Sequence, residues 1–165
     1  MNYPRAKLVR ALLNFFGADE RRIEHALRVL FHSERLMPDF PGCDPEIVIA
    51  AALLHDVGIR VSEEKLGYNT GKTQEEFGPP VAAALLESVG YPAAKIEIVR
   101  NIVGNHHSAS RYDYPELALL KEADRIVNSD EGLSSRRDAP PPPPGAGREP
   151  PGQGKTPVRG ETPPA

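Results

Sequence analysis

The sequence of 165 residues has one cysteine, Cys43, no tryptophan and no hydrophobic run long enough to span a membrane. A single cysteine excludes an intramolecular disulfide and suits a reducing compartment. The apolar clusters near the amino terminus are interrupted by Arg5, Lys7 and Arg10, which does not fit a secretory signal. We therefore predict a cytoplasmic protein without a membrane partner.

An excess of positive charge is also missing, because the formal net charge is -3. Proteins that bind nucleic acid through its phosphates usually carry a basic patch, so this balance disfavours nucleic acid as the partner. The composition leaves open whether the chain forms a homo-oligomer.

Apolar residues become scarce near Ser134. From there to the end of the chain, Val158 is the only branched aliphatic residue and aromatic residues are absent. Such a segment cannot bury enough apolar surface to offset its ordering entropy. We predict a helical domain over residues 1–132 and a disordered tail rich in proline and glycine over residues 133–165.

The earlier part shows helical periodicity and no sustained alternation, which predicts an all-α fold. Gly17 ends a first helix, and Asp44 caps a short third helix with Gly58 as its stop. A polar loop follows, and Gly78-Pro79-Pro80 is interpreted as a helix start, with Thr73 and Glu76 in capping-box spacing. The six predicted helices span residues 4–16, 19–37, 44–57, 78–89, 92–107 and 114–130.

Polar side chains interrupt these apolar stripes at a few positions. Neutral imidazoles and carboxylates are ligands for zinc, iron or manganese, and carboxylates also suit magnesium. Two adjacent residues can reach one ion only where a helix ends and its backbone can adjust. The residues of this kind are His25, the adjacent pair His55 and Asp56, the adjacent pair His106 and His107, and Asp124.

Four segments that contain these residues resemble, in the same order, the HD-domain superfamily of metal-dependent phosphohydrolases. The segments are EHALRV, AALLHDVG, NIVGNHHS and EADRIVN. The resemblance covers roughly residues 20 to 130 and implies a compact helical bundle. It also implies that one divalent ion (Mn, Mg, Zn, Fe, Co or Ni) is bound by His25, His55, Asp56 and Asp124.

The sequence departs from the family pattern at two positions near the site. Ile59 occupies the place of a lysine that follows the His-Asp-x-Gly motif in many members, and Arg60 comes next. Gln74 stands where the two-metal branches carry a further histidine, which argues against a stable dinuclear centre. Arg60, Lys72 and Arg125 flank the motifs and are our candidate phosphate-binding residues.

The resemblance implies hydrolysis of a nucleotide or another small phosphate ester by a metal-activated water. His106 or His107 would act as general acid, and Asp56 could accept a proton from the attacking water. Two alternatives stay open. One is a non-catalytic module that binds metal or nucleotide, and the other is a di-iron oxygenase, which would need histidine ligands that Gln74 does not supply.

Overall fold

The computed structural model describes residues 3–137, and it describes side chains as far as residue 133. Within this range the chain is all-α, as predicted, and contains no strand. Its elements are α1 (Pro4–Phe16), α2 (Glu20–Leu36), a short 3-10 helix (Met37–Asp39), α3 (Pro45–Leu54), α4 (Gly58–Leu66), α5 (Gly71–Ser88), α6 (Ala93–Val103) and α7 (Pro115–Arg137). Among the helices of residues 3–137, none combines the length and the hydrophobicity that a membrane span requires.

The last helix, α7, runs to Arg137, whereas the sequence pattern ends it at Asp130. Residues 133–137 of the predicted tail are therefore helical. The rest of that tail, residues 138–165, lies outside the described residues.

Helix α3 forms the centre of the bundle and packs against α1, α2, α5, α6 and α7. It is apolar on all sides, and Ala50, Ala52 and Leu54 are fully buried, as expected for a helix enclosed by others. Asp44 caps its amino terminus by accepting a hydrogen bond from the amide of Glu46. Because α3 is central, the residues that follow its carboxyl end, His55 and Asp56, lie inside the bundle.

The prediction that Gly58 stops α3 and is followed by a loop is wrong. Gly58 is the first residue of α4, after a tight turn at residues 55–57. A Cβ atom on Gly58 would lie 2.4 Å from the carbonyl oxygen of Gln74 and 2.7 Å from the amide nitrogen of Gly78. The glycine is therefore needed for the close approach of α4 to α5.

The predicted start of α5 is also wrong. The helix begins at Gly71, and the capping box is formed by Thr70 and Thr73, each accepting a hydrogen bond from the other's amide. Pro79 and Pro80 lie inside the helix, although proline has no amide hydrogen for helical bonding. The longer helix places the backbone of Gln74 against Gly58, the first residue of α4.

Candidate metal centre and cleft

The four predicted metal ligands converge inside the bundle. Nε2 of His25, on α2, lies 3.2 Å from Nε2 of His55, 3.1 Å from Oδ1 of Asp124 and 3.4 Å from Oδ2 of Asp56. Nε2 of His55 lies 3.4 Å from Oδ2 of Asp56 and 3.5 Å from Oδ1 of Asp124, on α7. His55 and Asp56 both face this centre because α3 ends at Leu54 and the chain turns there.

The outer nitrogens of three histidine rings are fixed by hydrogen bonds. Nδ1–H of His55 donates to the carbonyl oxygen of Ala52, and Nδ1–H of His106 donates to that of Val103, at 2.8 Å each. Nδ1–H of His25 donates to Oε1 of Glu131 at 3.1 Å. Carbonyl and carboxylate oxygens can only accept, so these bonds assign the proton of each neutral ring to Nδ1.

The Nε2 atoms of the three neutral rings therefore present lone pairs to the same region as the carboxylates of Asp56 and Asp124. Nε2 of His106 is buried and has no hydrogen-bond partner among the described residues. Facing acceptors repel one another unless a cation lies between them, and this donor set suits a divalent metal. Ligand atoms of His25, His55 and Asp56 lie within 4.8 Å of one another, so these residues fit such an ion.

Without a metal ion, the carboxylates of the cluster favour the protonated, positively charged form of the neighbouring histidines. Burial opposes the charged form of His55, yet the carboxylates of Asp56 and Asp124 raise its pKa well above the usual value. Burial also opposes the charge of His25, and its bond to Asp124 leaves the pKa of His25 raised. For Asp56 and Asp124, burial is outweighed by the neighbouring histidines, which lower both pKa values.

A second group of potential ligands shares Asp56 and adds His106 and His107, with ligand atoms within 4.8 Å of one another. Nε2 of His106 lies 3.5 Å from Oδ1 of Asp56. Both histidines lie in the turn after α6 and not on the helix itself. Gln74 donates an amide hydrogen to Oδ1 of Asn69, so its Oε1 accepts from Nε2–H of His107. This bond orients the His107 ring.

A cleft of about 500 Å³ opens directly onto the candidate metal centre. His25 and Asp56 lie in its wall, together with Ile59, which is buried. The remaining lining residues are polar or charged: Asp19, Arg21, Arg22, Glu63, Asn69, Asn128 and Glu131. The cleft therefore has room for a small polar molecule beside the candidate metal centre.

The three candidate phosphate-binding residues do not line this cleft. Arg60 bonds Glu64 and the carbonyl of Phe15, with its guanidinium over the Phe15 ring. Lys72 is exposed in the first turn of α5, and Arg125 is exposed and paired with Glu122. The structure thus places all three on the outer surface of the bundle and outside the lining of this cleft.

Several residues of the site were not singled out from the sequence. Glu131 follows Asp124 by seven residues, or two helical turns, so it lies on the same face of α7. That spacing is a signal that could have found it. Asn69 has no such signal, because its position depends on how residues 67–70 connect α4 to α5.

Comparison with known protein families gives a match over the part of the chain that contains these motifs. The sequence profile of the HD domain matches residues 22–129. The chain belongs to the HD domain family. In this HD domain, the matched range contains all four candidate ligands and both histidines of the turn after α6.

Two known proteins are similar to this HD domain. Ribonuclease Y of Aquifex aeolicus (strain VF5) is 31% identical over 121 residues, which cover 70% of this chain and 19% of the ribonuclease. The chain thus matches about a fifth of that relative's length. The crystal structure of a predicted HD superfamily hydrolase from an uncultured Thermotogales bacterium superposes with a TM-score of 0.58 at 24% identity, covering 79% of this chain and 74% of the other. This second likeness shows a shared fold.

Proposed function

We propose that this HD domain is a metal-dependent phosphohydrolase that acts on a nucleotide or another small phosphate ester. The observation that carries the proposal is the convergence of three Nε2 lone pairs and two carboxylates beside the cleft. His25, His55, Asp56 and Asp124 would hold one divalent ion, whose identity the donor set does not select. When bound, such an ion activates a water and polarises a phosphoryl oxygen.

The side chains around the cleft supply the remaining steps. Asp56 has an oxygen on each side, with Oδ2 toward His25 and His55 and Oδ1 toward His106. It is placed to accept a proton from the attacking water and to exchange it with His106. The same proton can then neutralise the leaving oxygen. His107, whose Nε2–H is donated to Gln74, would hold the turn after α6 in place beside His106.

The test combines metal analysis with a substrate screen. The full chain, purified without chelator, is expected to retain about one equivalent of a divalent metal. It should release phosphate from at least one phosphomonoester or nucleotide, or open a cyclic nucleotide to its monophosphate. The variant Asp56→Asn should lose this activity, whereas Glu122→Gln, on the exposed surface of α7, should keep it. Bound metal without turnover on any substrate would favour the non-catalytic module, and oxygen uptake by an iron-loaded sample would favour the oxygenase.

A second candidate substrate is the phosphodiester of RNA, which the similarity to Ribonuclease Y favours. Adding a short single-stranded RNA to the same screen distinguishes RNA from small phosphate esters as the substrate. Cleavage of the RNA with no release of phosphate from monoesters would replace the first candidate by the second.

A further inference from the structure

Arg22 is the most constrained cation of the cleft. Its guanidinium bonds Asp19 at 2.6 Å and Glu63 at 2.7 Å, one carboxylate on each side. These three side chains are between about a quarter and two fifths exposed, so substrate can reach them. The positive charge of Arg22 is thus more than balanced by its two neighbours.

The other charged residues of the cleft provide little unbalanced positive charge that could attract a second anion. Two positive charges of a bound ion would be matched by Asp56 and Asp124. Glu131 lies 3.6 Å from Arg28, which lies outside the cleft. Among the described residues that line the cleft, Arg21 is the only cation without a carboxylate partner. A bound ion and Arg21 would therefore hold one phosphate group, whereas a second phosphate would meet the carboxylates of Asp19 and Glu63 in the same wall.

The rest of the wall favours an uncharged organic group. Asn69 and Asn128 are uncharged lining residues, and the Asn69 amide donates to Oε1 of Glu63 at 2.7 Å. The carboxylate oxygens of the wall can accept further hydrogen bonds from hydroxyl groups. We propose, on the basis of the phosphohydrolase function above, that the cleft selects phosphate monoesters of uncharged alcohols over esters that carry a second phosphate. Glu63 sets this selectivity by holding Arg22 and by placing a negative charge in the wall.

Two probes that differ by one phosphate test the proposal: adenosine 5′-monophosphate and adenosine 3′,5′-bisphosphate. Neither contains a polyphosphate chain that would strip the metal. With the full chain loaded with Mn²⁺, kcat/KM for the monophosphate should exceed that for the bisphosphate by about tenfold or more, mainly through KM. In Glu63→Gln this ratio should fall to about threefold or less, because the new amide side chain is neutral and Arg22 keeps only Asp19 as a carboxylate partner.

The neighbouring residue on α4 supplies a matched control. Glu64 pairs with Arg60 on the outer surface, so Glu64→Gln makes the same change of charge away from the cleft and should leave the ratio unchanged. Melting temperatures of both variants should stay close to that of the parent protein.

Each result has a separate meaning. Equal or better turnover of the bisphosphate by the parent protein would overturn the selectivity while leaving the phosphohydrolase function intact. An unchanged ratio in Glu63→Gln, or the same change in Glu64→Gln, would overturn the role of Glu63. Absence of hydrolysis of both probes and of every compound in the screen would overturn the proposed function, and this inference with it.

Discussion

Glu131 and His25 are joined by a hydrogen bond of 3.1 Å between a carboxylate oxygen and Nδ1–H of the ring. Helix α7 therefore contributes two residues to the candidate metal centre. Asp124 is a candidate ligand, and Glu131, two turns later, holds the ring of the candidate ligand His25. A carboxylate bonded to the outer nitrogen of a ligand histidine fixes the tautomer and makes the inner nitrogen more basic.

Replacing Glu131 by Gln should weaken metal binding by about tenfold, within the range found when such supporting groups are removed. The amide can still accept the hydrogen bond, but it no longer polarises the ring. Asp130→Asn is the control. Asp130 precedes Glu131 on α7 and contacts Arg28 on α2, but it makes no contact with His25 among the described interactions. Competition with a fluorescent chelator measures both affinities, and equal values in the two variants would argue against the supporting role.

Asp124→Ala should lower metal affinity more strongly, by about a hundredfold or more, because it removes a proposed ligand and leaves the facing histidine nitrogens less balanced. Metal content after gel filtration and a titration of the chelated protein provide the measurement. Glu122→Gln changes an exposed carboxylate on the same helix and should retain the metal. Full metal content in Asp124→Ala would remove this residue from the ligand set.

The pH dependence of the metal-free protein follows from the shifted pKa values. His25 and His55 have pKa values raised above 6.5, so their stabilising contribution is complete below that pH and is lost as the pH rises through their folded values. Asp56 and Asp124 have pKa values below 3.8, so their contribution is present above that pH and is lost on acidification.

Melting of the metal-free protein should therefore occur at the highest temperature between about pH 4 and pH 6.5 and fall by several degrees toward pH 8.5. Excess divalent metal should restore the loss at pH 8.5, since it binds the folded state and replaces the protons. Differential scanning calorimetry with and without chelator checks both statements. A melting temperature independent of pH between 6 and 8.5 without metal would contradict the assignment.

The sequence predicted the fold class and which polar residues would meet, but it did not predict how α4 and α5 pack. Gly58 follows an apolar helix and has the pattern of a stop signal, and Pro79 and Pro80 have the pattern of a helix start. Both patterns are local. Gly58 instead serves the contact with Gln74 and Gly78, which are distant in sequence, and this contact is visible only once the helices are placed.

The glycine at this contact leads to a prediction on stability. Gly58→Ala should lower the free energy of unfolding by about 2 kcal/mol or more, because its Cβ would overlap backbone atoms of α5 that cannot move aside. Gly132→Ala is the matched control. Nothing lies within 4 Å of its Cβ position on α7, and alanine there should stabilise the helix by up to about 1 kcal/mol. Urea denaturation followed by circular dichroism measures both, and equal effects would contradict the close packing.

His106 and His107 are adjacent, yet their surroundings predict different effects on turnover. Nε2 of His106 is buried beside Asp56, whereas Nε2–H of His107 is already donated to Gln74 and the residue is exposed. His106→Gln should slow turnover by about a hundredfold or more, the scale for the loss of a positioned acid or base. His107→Gln should have the smaller effect, since the Nε2–H of His107 is already donated to Gln74 and is not free to protonate a leaving group.

The test of this difference requires a phosphate ester with a poor leaving group. A leaving group such as nitrophenolate departs without a proton and would hide the loss of a general acid. If His106 transfers a proton and is not a primary ligand, metal content in His106→Gln should stay near one equivalent while kcat falls. Loss of metal and activity together would make His106 a ligand of the only ion. Full activity of both single variants on such an ester would show that water, and not either histidine, protonates the leaving oxygen.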